Sequence, residues 1–213
     1  MRHLALALCF SACISLSATA RAPAQSALEV GVQALQRGDA ETAQKNLVPL
    51  AQRGNPVARF HLGLMYADGT GVAKNPELAA PLLRTAAEQG YAPAQSSLGM
   101  LHAFGRGVPQ SDTEALRWFR KAAEQGFANA QHSLALSYED GLGIRQDLGE
   151  ALLWYRKAAE QGVPESQYSL ALLYLRGLGT VKNDFVARAW LQKAAAQGHA
   201  QARQLLDNDL KLQ

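Results

Sequence analysis

The residues best suited to chemistry in this chain are few and dispersed. Beyond residue 24 the histidines are His61, His102, His132 and His199. No two of them stand three or four apart, the spacing that brings two imidazoles to one helix face for a metal. Both cysteines, Cys9 and Cys13, lie in the first 24 residues. From residue 25 onward there is no thiol for a nucleophile, a zinc site or a disulfide. The acids Glu88, Glu124 and Glu160 recur at a spacing of 36. A repeated acid fits a solvated position better than a catalytic dyad, which needs two unlike carboxyl environments at one place. The Gly-x-Gly pairs at 69/71, 105/107, 141/143 and 177/179 recur in the same way and follow no strand, so they are not dinucleotide fingerprints. Phosphate-loop, nucleophile-elbow and His-Glu-x-x-His patterns do not occur. The expectation is a non-enzymatic protein with no cofactor and no metal site.

Aromatic side chains are the remaining candidates. Trp118, Trp154 and Trp190 share one register. A tryptophan ladder suits sugar stacking, but at helical spacing beside recurrent alanines it reads as core packing. Charge adds little. The chain carries 21 basic and 18 acidic residues, formally +3, and Arg2 and Arg21 precede residue 25. The remainder is nearly neutral and has no basic run, which argues against a nucleic-acid partner.

The N-terminus reads as an address. Arg2 and His3 precede a stretch from Leu4 to Ala20 with no charge, and two small-x-small triplets follow, ending at Ala20 and Ala24. This is the layout of a signal peptide spanning residues 1–24, with cleavage after Ala20 as the other option. Export to the periplasm or beyond follows, with lipid anchoring at Cys13 as a minor alternative. No membrane span is expected in the mature chain.

The elements that position everything else come from a repeat. Gly54, Gly90, Gly126, Gly162 and Gly198 are 36 apart, the last four each closing a stretch such as K-A-A-E-Q-G. Four units follow, 55–90, 91–126, 127–162 and 163–198. A capping helix pair at 25–54 precedes them, turning at Gly38-Asp39, and a capping helix at 199–213 ends the chain. Each unit reads as two helices. The first carries an i, i+4 face such as Ala58, Leu62 and Tyr66, with a small residue (Gly63, Gly99, Ala135, Ala171) where another helix approaches closely. The second begins at an N-cap register of Asn75, Ser111, Asp147 and Asn183, with Glu114 and Glu150 three residues on in capping-box position. Its apolar face is centred on Ala79, Leu82 and Ala86, and Pro81 should kink it in the first unit.

With Leu62 facing the core, positions 57, 60, 61, 64 and 68 point away from it. Phe60, Phe104, His132 and Tyr168 fall in such registers and are the candidate partner-contact residues. Filling gaps between neighbouring repeats is the competing reading. The uniformly apolar register of Leu64, Met100, Leu136 and Leu172 suggests inter-repeat packing.

The two half-patterns, A-x-x-x-L-G-x-x-Y-x-x-G-x-G-V and A-x-x-W-x-x-K-A-A-E-Q-G, together resemble the Sel1-like repeat family. The first unit supplies Ala58, Leu62, Gly63, Tyr66, Gly69, Gly71 and Val72, and the third supplies Ala151, Trp154, Lys157 and Gly162. His102, Thr180 and Leu82 depart from the pattern. The resemblance implies an all-α, right-handed α-solenoid of stacked antiparallel helix pairs. It further implies an adaptor that holds a protein or peptide partner on its concave face, here expected to be monomeric. A glycan- or envelope-polymer-binding module is the alternative function.

Overall fold

The computed structural model describes residues 26–210, so the proposed leader and the last three residues lie outside it. Among the described residues every regular element is a helix. The order is α1 (26–36), α2 (Ala40–Gln52), α3 (Pro56–Asp68), α4 (Pro76–Glu88), α5 (Ala92–Phe104), α6 (Asp112–Glu124), α7 (Ala128–Asp140), α8 (Leu148–Glu160), α9 (Pro164–Arg176), α10 (Asp184–Ala196) and α11 (Ala200–Leu210). Contacts divide the chain into two units, residues 1–89 and 90–213. The expected all-α architecture of antiparallel helix pairs is what both units contain.

Local chemistry sets these lengths. Asn75, Ser111, Asp147 and Asn183 each accept a backbone N–H of the first turn, at 3.0, 3.2, 3.0 and 3.0 Å. Each of these cap residues also donates its own backbone N–H to the carbonyl of the Tyr66 register: Tyr66, His102, Tyr138 and Tyr174. That bond closes the loop between the two helices of every repeat. The capping box expected at Glu150 is replaced by other bonds: the Asp147 N–H goes to the Tyr138 carbonyl, and the Glu150 carboxylate accepts the Trp154 indole N–H at 3.1 Å.

The two loop glycines have different duties. Gly69, Gly105, Gly141 and Gly177 end the first helices in the left-handed conformation. The second glycine also has positive φ, and Gly71, Gly143 and Gly179 lie against the start of the preceding second helix of their own unit. A Cβ on Gly143 would stand 2.5 Å from the Asp112 carbonyl oxygen, and one on Gly71 would overlap the Cβ of Ala40. The loop is therefore an inter-repeat contact as well as a turn.

The small register of the first helix meets a large one on the second. A Cβ on Gly63 would lie 2.8 Å from Leu83, and one on Gly99 would lie 2.6 Å from Phe119. Gly31 makes the same approach to Leu47 in the capping pair, which has no Gly-x-Gly loop. In the later repeats Ala135 and Ala171 share core clusters with Tyr155 and Leu191. The second helix thus turns its core face about the Leu83 register, one residue beyond the expected Leu82. The mid-helix prolines do not divide their helices: α2 and α4 run on through Pro49 and Pro81. Each proline stands more than one turn into its helix and so removes one i to i−4 hydrogen bond from it.

A glutamine ladder joins the repeats of the second unit. Gln95, Gln131 and Gln167 are buried, and each accepts from the glutamine that ends its own repeat, Gln125, Gln161 and Gln197, at 2.7, 2.7 and 2.9 Å. Gln131 and Gln167 donate in turn to the carbonyls of Ala123 and Ala159 in the repeat before. Buried amides satisfied in this way fix the register of one repeat on the next.

Candidate functional site

The four sequence-derived candidates have unlike surroundings. Phe60 in the first unit is half-buried, its ring edge-on to His61 at 5.1 Å. In the second unit His132 and Tyr168 occupy one register in successive repeats, and both reach toward the following helix. His132 Nδ1 lies 2.8 Å from the Ser166 hydroxyl, with the Tyr155 ring at 5.5 Å. Tyr168 stacks on His199 at 4.6 Å. Phe104 ends α5 and is 57% exposed, with the Arg106 guanidinium over its ring. Among the described residues no ring contact brings Phe104 to His132 or Tyr168. His199, just after the Gly198 that closes the fourth repeat, is half-buried rather than open to solvent. It stacks on Tyr168 and accepts the Ala202 N–H at the start of α11.

Burial controls the polar chemistry of these side chains and their neighbours within each unit. Desolvation pushes the imidazoles of His61 and His132 below the usual histidine range, and the Glu165 charge opposes it at His132. Tyr155 is fully buried and donates to the Glu139 carboxylate at 2.6 Å. Burial first, and then that bond, hold its phenol far above the ordinary range, so it is a fixed donor. His102 replaces the recurrent tyrosine and is buried, as a packing residue should be, with Nδ1 3.2 Å from the Pro109 carbonyl. Among the described residues no group of three His, Cys, Asp or Glu side chains is placed to hold a metal ion.

The tryptophans do not form an open stacking platform. Trp118 is buried, whereas Trp154 and Trp190 are half-buried, so the expected uniform core ladder is corrected to one buried and two partly covered rings. A lysine three residues on lies over each indole: Lys121, Lys157 and Lys193, at 4.7, 3.8 and 4.1 Å from the ring centre. These cation–π contacts occupy the face that a sugar ring would need.

The surface that is open was read differently from sequence. Met100 and Leu136, expected to pack between repeats, are 43% and 37% exposed, while Leu64 and Leu172 are half-buried. Met100 lies one turn before Phe104 on α5, so the second unit presents Met100, Phe104 and Leu136 as exposed apolar side chains on its first helices. Recurrence of an apolar register alone does not distinguish a buried seam from an exposed stripe.

Geometry and sequence together define a protein of stacked helix-pair repeats with no assembled catalytic centre among its described residues. The Sel1 repeat model matches residues 56–91, 92–127, 128–163 and 164–199, and the chain belongs to the Sel1 repeat family. A Sel1 repeat protein from Oxalobacter formigenes is 34% identical with a TM-score of 0.79, over 85% of this chain and 72% of that one. A protective antigen of uropathogenic Escherichia coli with an SLR fold is 38% identical with a TM-score of 0.71, over 74% of this chain. This chain spans only 34% of that antigen. A Sel1 repeat protein from Klebsiella pneumoniae shares the fold at 18% identity and a TM-score of 0.60, over 87% of this chain and 92% of that one. Comparison with curated protein sequences gave no significant match. Sel1 repeat proteins are generally scaffolds for protein interaction rather than enzymes.

Proposed function

We propose that this chain is an exported, non-enzymatic adaptor that binds a protein or peptide on the face formed by its first helices. The observation that carries the reading is the exposed apolar set Met100, Phe104 and Leu136 in the second unit. Side chains of this kind, exposed in one monomer and rimmed by polar residues, are what partner surfaces present. Within the second unit His132 stands one turn before Leu136 on α7, and His132 and Tyr168 offer amphipathic contact from half-buried positions, as Phe60 does in the first unit. Lysine cover on the tryptophans favours this reading over a glycan-binding module. No helix among the described residues is long and apolar enough to cross a membrane. Removal of a leader at 1–24 on export is part of this proposal and rests on the sequence alone.

The test is crosslinked capture in living cells with the native chain and with Met100→Asp/Leu136→Asp, after circular dichroism shows equal helicity. A partner held by the native chain and lost by the variant is expected. Capture that is indifferent to the variant would remove this surface from the adaptor reading. Mass spectrometry of the N-terminus should find Gln25 first; an intact Met1 in the exported fraction would refute cleavage.

A further inference from the structure

The half-buried tryptophans define a seat, and one repeat leaves it open. Trp154 packs against a cluster that includes Ala123, Leu134 and Tyr138. Trp190 packs against one that includes Ala159, Leu170 and Tyr174. The residues at the same registers in the first unit are Ala51, Leu62 and Tyr66, but the residue facing them is Leu82. The lysine that covers the indole elsewhere is Thr85 here. With ring and cover both replaced, a cavity of about 490 Å³ remains, lined by Ala51, Leu62, Tyr66, Leu82 and Thr85 among others. That volume is within the range of small-molecule and side-chain pockets.

The polar lining has changed with it. Where the later seats have Gln131 and Gln167, this one has Arg59, whose Nε donates to the Ala51 carbonyl at 3.0 Å, the same backbone position those glutamines engage. Among the described residues no other hydrogen bond or ion pair engages its guanidinium, so the terminal nitrogens are available to a ligand. Where the later repeats carry Glu124 and Glu160, the lining has Gln52, and no acid lines this cavity. The open seat thus joins an aromatic-sized apolar floor to one cation without a carboxylate beside it.

We infer that this cavity in the first unit receives an aromatic side chain of a partner peptide whose carboxylate, at the chain end or on an adjacent acid, pairs with Arg59. The aromatic half follows from what the molecule itself places at the same register in later repeats. The carboxylate half follows from charge complementarity. The inference deepens the adaptor reading and rests on it, but it concerns a different surface from the Met100 stripe.

The experiment uses the full chain and two small probes, N-acetyl-tryptophan and N-acetyl-tryptophanamide, followed by amide chemical shifts. The acid should shift Arg59, Leu62, Tyr66 and Leu82 saturably, and the amide should bind about tenfold more weakly, as for loss of one charge-assisted pair. Arg59→Gln should equalise the two probes. Leu82→Trp, which restores the residue used by the other repeats, should abolish both while helicity is kept. Absence of saturable shifts at these residues in the native chain, or full binding by Leu82→Trp, would overturn the proposal. Equal binding of acid and amide to the native chain would overturn its carboxylate half. Seat shifts on deleting residues 1–24, or on raising protein concentration, without a probe response would assign the seat to the chain's own N-terminus or to a second copy, and the proposal would fall. Because the probes need no partner, the seat and the capture experiment fail separately.

Discussion

In the third repeat Trp154 lies on Ala123, Leu134 and Tyr138, its N–H held by Glu150 and its face covered by Lys157. In the first repeat the same floor is present, but Leu82 and Thr85 stand where ring and cover would be, and a cavity results. The loop, the N-cap and the small-on-large helix contact are alike in the two. A repeat therefore keeps its frame when its seat is emptied, because the frame rests on backbone caps and on the Gly63 or Ala135 approach, not on the indole. Frame and seat are separable, so the seat can vary while the frame is kept.

That separation can be attacked first at the frame. Gly71→Val and Gly143→Val should each cost about 4 kcal/mol, since positive φ strain adds to a collision with the neighbouring repeat. Urea unfolding that shows one of them tolerated would mean that the loops of the two repeats are not equivalent. Next is the seat itself. Trp154→Leu/Lys157→Thr copies the first repeat into the third and should cost about 2–3 kcal/mol while opening a cavity there. If stability is unchanged, the indole contributes nothing and the comparison breaks. Trp118, being buried, should lose more on truncation to Ala than Trp154 does.

The buried amide comes next. Gln131→Ala leaves Gln161 and the Ala123 carbonyl without their partner and should cost about 2 kcal/mol. In the opposite direction, Leu82→Trp/Thr85→Lys should raise stability by about 1 kcal/mol by filling the open seat. A destabilised product would mean that the first repeat is shaped against an indole. The smallest expected effect is in pH. The folded pKa of His61 and of His132 is depressed, so the unfolded chain binds the proton more readily. Stability from these two is complete above the unfolded value near 6.5 and falls as acid approaches the folded values. His132→Asn should flatten that fall between pH 7 and 5; an unchanged slope would show that the imidazole is not desolvated.

Much of the frame was legible. The period, the four N-caps, the C-cap glycines and the close approach at Gly63 are local or nearly local properties, so residue type and spacing announce them. The candidate site was less so. Phe104 proved exposed, but the recurrent apolar register at Met100 and Leu136 was read as a seam, since pattern reports that a position is apolar and not whether a neighbour reaches it. The lysines over the tryptophans and the Gln95–Gln125 ladder were not foreseen, although both recur at the repeat period and that recurrence was the available signal.

By itself the sequence determined that this chain builds helix pairs of one length and register, because helix propensity, capping and glycine conformation act within a few residues of chain. Only tertiary structure decided which apolar residues are covered, that Tyr155 is a fixed donor to Glu139, and that replacing Trp and Lys by Leu82 and Thr85 leaves a cavity. Burial is a property of what packs from elsewhere in the chain, and residue spacing cannot measure that distance.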